Sequence, residues 1–213
     1  MLSKEVAVAN HFFTLLGQLE EGCAEFSEFF QKPDGTKWRE LMWNNAGSWA
    51  DSIVLDGGAT KAVIIDEDYD YVLKIPFLME SGQNYCQIEL ENYVSAKQDN
   101  LEAYFAETFY LGEYEGAQCY ASKKADCDDI EDRVSDEIRS SYSDMSDEEF
   151  GSYIDNAWTE EIVEEAMENC AGDDWGRLYD FLNDNNINDL HYGNVGYIDG
   201  SLVYIDFSGY REW

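Results

Sequence analysis

Apolar residues recur at helical spacing through the first thirty residues of the chain, and the turn-forming run Lys-Pro-Asp-Gly at 32–35 ends this pattern. The spacing predicts one long amphipathic helix from Ser3 to about Phe30. A shorter helix is predicted from Trp38 to Trp43, so residues 1–47 are expected to form a helical N-terminal extension. The apolar stripe of the long helix contains Val6, Phe13, Leu16 and Leu19.

Between Ser52 and Phe77 the pattern changes to short runs rich in β-branched and aromatic residues, and the turn-forming pair Gly57-Gly58 interrupts them. Three consecutive strands are predicted here. Helical spacing returns from Cys86 to Lys97, and the segment from Phe109 to Lys123 indicates two strands around the turn Glu115-Gly116. The predicted order is therefore three strands, a helix and two strands.

From Asp126 to Asp174 the composition shifts to Asp, Glu and Ser, with Arg133 and Arg139 as the only cations. The segment is predicted to form solvated acidic helices, or to be partly disordered. A last helix is predicted from Trp175 to Leu182, followed by a hairpin that turns at Asp199-Gly200. The apolar residues of the acidic segment keep near-helical spacing and are Ile130, Val134, Ile138, Phe150, Ile154, Trp158 and Ile162.

Composition and charge narrow the range of functions. A chain of 213 residues with 45% hydrophobic side chains can bury a substantial core. No apolar run approaches the roughly 20 residues that span a bilayer, and Glu5, Asn10 and His11 interrupt the N-terminus where a signal peptide would be apolar. We therefore expect a cytoplasmic protein that does not enter a membrane.

The formal net charge of −33 predicts repulsion from nucleic-acid phosphates and attraction to basic proteins. Direct nucleic-acid binding is therefore not expected, and a basic protein partner or substrate is. The cysteines form no C-x-x-C pair, and the two histidines, His11 and His191, are far apart in the sequence, so no zinc site is predicted. The cysteines are Cys23, Cys86, Cys119, Cys127 and Cys170.

The segment Asp189-Leu-His-Tyr-Gly-Asn194, followed by Asp206-Phe-Ser-Gly209, is the most informative part of the sequence. Phosphoryl transfer needs a carboxylate beside the acceptor hydroxyl and oxygen ligands for magnesium. Asp189 can supply that carboxylate, and Asn194 can supply one metal ligand from the same loop. The predicted hairpin returns the chain to the same point, where Asp206 can supply the other ligand.

These two motifs resemble the catalytic and magnesium loops of the protein-kinase-like superfamily, D-L-x-x-x-N followed by D-F-G. The D-L-H-x-G-N form is most similar to aminoglycoside and choline kinases, to small atypical protein kinases and to compact phage-encoded kinases. Asp189 is then expected to be catalytic, and Asn194 and Asp206 to bind Mg²⁺. The sequence departs from the family at Ser208, where the third residue of D-F-G would be glycine.

Upstream residues add to the resemblance. Gly57 and Gly58 match a glycine-rich turn over the phosphates of ATP, and Lys74 lies in Val-Leu-Lys-Ile, which is similar to V-A-I-K. The expected partner of Lys74 is Glu89 on the next helix, with Glu91 as the alternative. The segment Cys119-Tyr-Ala-Ser122-Lys-Lys is similar to the strand and hinge that receive adenine, so that Ser122 is a candidate cofactor-binding residue.

The resemblance implies an α+β, reduced protein-kinase-like fold of two lobes. An antiparallel-sheet N-lobe is expected at 48–125, and a truncated, mainly helical, acidic C-lobe at 126–213. The expected function is ATP- and Mg²⁺-dependent transfer of phosphate to a hydroxyl, most naturally on a protein, in a host cytoplasm if the chain is phage-encoded. The alternatives are an inactive kinase-like module that blocks a basic site on a host protein, and a small-molecule kinase.

Overall fold

The computed structural model describes residues 3–45 and 52–209, and within these ranges the protein belongs to the α+β class. Its strands form a five-stranded antiparallel sheet with the order β1-β2-β3-β5-β4 and a separate hairpin, β6-β7. The strands are β1 (Ile53–Gly57), β2 (Lys61–Asp66), β3 (Tyr71–Pro76), β4 (Thr108–Tyr114), β5 (Ala117–Lys123), β6 (Val195–Ile198) and β7 (Ser201–Tyr204). The helices are α1 (Lys4–Gly22), α2 (Glu25–Gln31), α3 (Gly35–Asn45), α4 (Tyr85–Gln98), α5 (Ile130–Arg139), α6 (Asp147–Asn156), α7 (Thr159–Ala171) and α8 (Trp175–Asp184).

The N-terminal extension is helical as predicted, but the expected single helix over residues 3–30 is wrong. The chain forms α1 and α2 with a break at Cys23, whose backbone is extended and whose N–H donates to the carbonyl of Leu19. Phe26 and Phe29 are buried on α2, so the apolar spacing continues across a break that it does not reveal. The predicted helix at Trp38 is confirmed as α3, while residues 1, 2, 46 and 47 of the predicted extension lie outside the described ranges.

The five-stranded sheet has two faces with different surroundings. Leu73 and Ile75 of β3 lie on the face that packs against the apolar side chains of α1 to α3. Lys74 is paired across the sheet with Val63 and Tyr120, so its side chain lies on the opposite face. Because side chains alternate along a strand, the position of Lys74 between two core residues places it away from the apolar core.

The chain divides into two compact units, and the boundary falls within α4. The first unit comprises Met1–Glu91 and Glu107–Lys124, and it contains the five-stranded sheet. The second comprises Asn92–Ala106 and Ala125–Trp213, and it contains α5 to α8 and the hairpin. In the described ranges no helix is both long enough and apolar enough to span a bilayer.

The acidic segment is helical, as one of the two predictions for it stated. It forms α5, α6 and α7, and four of its predicted apolar positions are buried in the core of the second unit. Ile130 and Ile154 are partly buried against the same core, whereas Trp158, which precedes α7, is 73% exposed. The predicted hairpin is also confirmed, with Asp199 and Gly200 both at positive φ, as a tight two-residue turn requires. The buried apolar positions are Val134, Ile138, Phe150 and Ile162.

Candidate functional site

Lys74 and Glu89 form the buried ion pair that the sequence predicted. The ammonium nitrogen of Lys74 lies 2.8 Å from Oε2 of Glu89, and both residues are buried. The alternative partner, Glu91, is exposed and accepts a hydrogen bond from Nε2 of Gln87 at 3.0 Å, so the structure favours Glu89. Charges this well removed from water are retained only when they are paired or hydrogen-bonded.

A second lysine, which sequence reasoning missed, binds the same carboxylate. The ammonium of Lys61 contacts Oε1 of Glu89, and Lys61 is as deeply buried as Lys74. The only sequence signal was that Lys61 follows the predicted glycine turn and precedes the apolar run Ala62 to Ile65. We call Lys61, Lys74 and Glu89 the lysine–glutamate centre.

The connection from β1 to β2 starts at Gly57, the last residue of β1, and leads directly into Lys61. Gly57 has φ +152°, and a Cβ atom there would lie 2.6 Å from the carbonyl oxygen of Lys61 and 2.9 Å from Nε1 of Trp38. Gly58 is exposed, and a Cβ atom at that position would meet nothing within 4 Å. The two glycines therefore differ: the local structure requires the first, and it leaves space beside the second.

This difference predicts opposite results for two matched substitutions. We expect Gly57→Ala to lower the free energy of unfolding by about 1–3 kcal/mol, because both its backbone conformation and its close contacts exclude a side chain. Gly58→Ala should change it by less than about 1 kcal/mol. Urea unfolding of the two variants measures the difference, and equal stabilities would contradict the assigned geometry.

Ser122 lies within the sheet, on the same face as Lys74. It is paired with Val72 of β3, and its hydroxyl accepts a hydrogen bond from Oγ1 of Thr108 at 3.2 Å. The neighbouring Tyr120 is also buried, and burial raises the pKa of its phenol to about 12, so the group is neutral at physiological pH. These contacts explain why Ser122 is buried in the sheet. A contact between Ser122 and adenine stays a prediction.

Asp189 and Asn194 belong to one loop of the second unit, which a short 3₁₀ turn closes at Tyr192–Asn194. The side-chain amide nitrogen of Asn194 donates to the backbone carbonyl of Asp189 at 2.7 Å, so the buried asparagine holds the aspartate in place. Because Nδ2 of Asn194 makes this hydrogen bond, the amide oxygen Oδ1 of Asn194 points away from the Asp189 carbonyl. The Asp189 carboxylate is partly exposed, with 44% of its side-chain surface accessible.

His191 orders the same loop. Its Nδ1 accepts a hydrogen bond from the backbone N–H of Gly193 at 3.0 Å. A nitrogen that accepts a hydrogen bond carries no proton, so in the neutral ring the proton is on Nε2, which lies 3.6 Å from Oδ1 of Asp189. A Cβ atom at Gly193 would come within 2.9 Å of the His191 ring, so a side chain there would displace the ring.

The hairpin brings Asp206 back to Asn194, as predicted. The backbone carbonyl of Asn194 accepts hydrogen bonds from the N–H of Ile205 at 2.9 Å and of Asp206 at 3.4 Å. The Asp206 carboxylate accepts a hydrogen bond from the hydroxyl of Ser208 at 3.2 Å. The serine that departs from the family motif thus contacts the predicted metal ligand directly.

Two contacts outside the predicted set position the residues that follow Asp206. The side-chain amide of Asn92 is buried and donates to the carbonyl of Phe207 at 2.7 Å. Gly209 has φ +70°, and its α-carbon packs so closely on the carbonyl of Asn186 that a side chain could not fit. Neither contact was predicted, because each joins segments that are distant in the sequence.

Asn194 and Asp206 offer the ligand chemistry that magnesium requires. Magnesium prefers carboxylate and amide oxygens, and it is commonly bound by only one or two protein groups together with water and phosphate. In the described ranges no group of three His, Cys, Asp or Glu residues could hold a metal ion. Asn194 and Asp206 thus supply two oxygen-bearing side chains on adjacent segments, and the binding of Mg²⁺ by them stays a prediction.

The acidic helix α7 buries one face and exposes the other. Ile162, Val163, Ala166 and Met167 are buried, while Glu160, Glu161 and Glu168 are exposed. Burial raises the pKa of Glu164, and repulsion by Glu168 and Glu161 raises it further. Glu165 has a structural contact, since it accepts a hydrogen bond from the hydroxyl of Tyr142 at 2.8 Å.

Comparison with protein-family models, with curated proteins and with solved structures found no match. The function is therefore argued from the chemistry of these residues.

Proposed function

We propose that this protein is an ATP- and magnesium-dependent phosphotransferase of reduced, two-lobed kinase-like fold that acts on a hydroxyl group. The observation that carries the proposal is the buried ion pair between Lys74 of β3 and Glu89 of α4. Phosphotransfer sites of this type use a strand lysine, held by a glutamate of the next helix, to contact the nucleotide phosphates. The adjacency of Asn194 and Asp206 supports the same conclusion.

Each residue then has a defined role. Lys74 contacts the α and β phosphates, and Glu89 holds its ammonium in place. Asp189 orients the acceptor hydroxyl and accepts its proton, while Asn194 and Asp206 bind the metal. When bound, magnesium neutralises charge on the triphosphate.

The acceptor is most naturally the hydroxyl of a basic protein. The net charge of −33 and the exposed carboxylates of α7 attract cationic surfaces and speed their association at low ionic strength. The same charge disfavours ATP at long range. Exposed charges more than about 8 Å away are screened at physiological salt, so a local lysine and metal can dominate nucleotide binding.

The proposal predicts that nucleotide binding depends on magnesium and on Asp206. We expect Asp206→Ala to weaken Mg·ATP binding by at least roughly tenfold, since even residues that only orient metal ligands are worth that much. Titration calorimetry with and without magnesium measures the effect. Asp184→Ala is the matched control, because it removes an exposed carboxylate of the same unit at the end of α8.

Two results would contradict this assignment. One is equal affinity for ATP in the presence and absence of magnesium. The other is an Asp206→Ala variant that binds Mg·ATP as tightly as the Asp184→Ala control.

The second candidate function is a kinase-like module without catalytic activity that occupies a basic site on another protein. The exposed carboxylates of Glu160, Glu161 and Glu168 on α7 favour this candidate, because they face solvent, whereas Glu165 accepts a hydrogen bond from Tyr142. The two candidates differ in one result: the second allows nucleotide binding but no phosphate transfer.

A further inference from the structure

A cavity of about 280 Å³ lies at one end of the five-stranded sheet, where β3 ends and β5 begins. The segment that leaves β3, the segment that enters α4 and the β4–β5 hairpin form its walls, and every residue that lines it belongs to the first unit. Leu78, Glu113 and Gln118 are exposed lining residues. The cavity is therefore open to a ligand from solvent.

Apolar side chains line part of this cavity. Phe77 and Met79 belong to or pack against the apolar core of the first unit, whereas Leu78 between them is 65% exposed. The backbone N–H of Leu78 donates to the carbonyl of Pro33 at 2.9 Å, which fixes this segment to the connection between α2 and α3. The wall suits an aliphatic chain, because covering Leu78 removes apolar surface from water.

Asn84 holds the polar part of the cavity in a fixed arrangement. Its Oδ1 accepts a hydrogen bond from the backbone N–H of Gln87 at 2.9 Å, at the start of α4. Its Nδ2 donates to Oε1 of Gln118 at 2.5 Å and to the hydroxyl of Tyr120 at 3.0 Å, both on β5. Because these side chains are already ordered, a ligand that binds here has less conformational entropy to remove.

The charges at the cavity select a cation. Glu113 is a charged lining residue, and within the described ranges its carboxylate forms no ion pair and no hydrogen bond. The charged residues that directly adjoin a lining residue in the sequence are three acids, Asp34, Glu80 and Glu115, and one base, Lys32. Carboxylates thus outnumber cations here, and the net charge of −33 attracts a cation from a distance.

Gln83 adds a hydrogen-bond acceptor that has no donor. Its Oε1 atom is buried and has no hydrogen-bond partner among the described residues. Buried polar atoms are nearly always paired, so an unpaired acceptor in a cavity wall indicates a place for a donor group of a ligand. The oxygen is closed to solvent in this conformation, so the side chain of Gln83 must turn toward the cavity to meet that donor.

We infer that this cavity binds an arginine side chain of a basic partner protein. The methylene groups of the arginine pack against Leu78, and its guanidinium pairs with the carboxylate of Glu113 and donates to Oε1 of Gln83 once that side chain has turned. Arginine fits better than lysine, because its planar group carries five donors and is more weakly hydrated. The inference rests on the proposed function only for the expectation of a basic partner, and it needs no nucleotide.

The test compares two peptides that differ only in charge. One is the capped peptide Gly-Gly-Arg-Gly-Gly, and the other carries citrulline, which keeps the shape of arginine but is neutral. Nuclear magnetic resonance of the isotope-labelled protein should show saturable shifts of the amide signals of Gly82, Gln83 and Gln118. The arginine peptide should bind about three- to tenfold more tightly than the citrulline peptide, a range between an exposed ion pair and a hydrogen bond to a charged group.

Two substitutions separate the contribution of charge from that of packing. Glu113→Gln should abolish the preference for arginine over citrulline, whereas Leu78→Ser should weaken the binding of both peptides by a similar factor. The matched control is Glu21→Gln, which removes an exposed carboxylate of the same unit that does not line the cavity. The control should leave both affinities unchanged.

The outcomes separate this inference from the proposed function. Equal binding of the two peptides by the wild-type protein, or shifts spread over the acidic surface instead of the cavity, would overturn the arginine site and leave the phosphotransferase proposal standing. The same holds if Glu21→Gln lowers the affinity for the arginine peptide as much as Glu113→Gln does. A wild-type protein that binds the arginine peptide at the cavity but does not bind Mg·ATP contradicts only the phosphotransferase proposal. The wild-type comparison of the two peptides decides even if a variant does not fold.

Discussion

Asp189→Asn is expected to lower the rate of phosphate transfer by about 10²- to 10⁴-fold, which is the usual contribution of a general base. The variant should still fold and bind Mg·ATP. The reason is that the Asp189 carboxylate is partly exposed, whereas the contact that orders the loop is made by its backbone carbonyl with Asn194. Asparagine keeps that carbonyl and nearly the same shape, but it cannot accept the proton of the hydroxyl.

The measurement is transfer of labelled phosphate from ATP, in the presence of magnesium, to proteins of a cell lysate. Asp184→Asn serves as the control, since it removes one exposed carboxylate from the same unit without touching the loop. Transfer by Asp189→Asn at the wild-type rate would contradict the catalytic role. A wild-type protein that binds Mg·ATP but transfers nothing would favour the inactive acidic module.

Glu89→Gln is expected to destabilise the first unit by about 3–5 kcal/mol, the typical cost of removing one partner from a buried ion pair. The substitution withdraws the carboxylate that contacts both Lys61 and Lys74, whose side chains are only 3% and 7% exposed. Glu91→Gln is the matched control, because Glu91 lies on the same helix but is exposed. It should change the free energy of unfolding by no more than about 0.5 kcal/mol.

Urea unfolding followed by tryptophan fluorescence can compare these variants, since Trp38 is buried in the first unit. Adding Lys61→Met to Glu89→Gln should recover part of the lost stability, because one of the two buried ammonium groups is then absent. Equal stabilities of Glu89→Gln and Glu91→Gln would show that the lysine–glutamate centre is not a buried charge cluster.

Much of the fold could be predicted from local patterns. Alternating β-branched residues and short turns predicted β1 to β3 because side chains alternate across a strand, and the pair Asp199-Gly200 predicted the last hairpin because few residues tolerate its backbone angles. The break at Cys23 was missed since apolar residues on α2 continue the spacing of α1. Local patterns thus found the elements but not every boundary.

The residues of the candidate site were likewise only partly predictable from local sequence patterns. A lysine within an apolar strand and a glutamate on the apolar side of the next helix are visible in the sequence, so the pairing of Lys74 with Glu89 was predictable. The sequence left Glu91 open as the alternative partner, and the packing of α4 excluded it. Asn92 and Gly209 escaped prediction because their contacts, with Phe207 and Asn186, depend on how distant segments meet.

The sequence by itself determined the chemical inventory: the strand lysine, the helix glutamate, and the loop residues Asp189, Asn194 and Asp206. Only the tertiary structure decided that Lys61 joins them. Its contact with Glu89 spans 28 positions of the chain, and it depends on the register that places Lys61 and Lys74 on one face of the sheet. A shift of that register by one residue would move Lys61 to the opposite face, because successive side chains of a strand alternate.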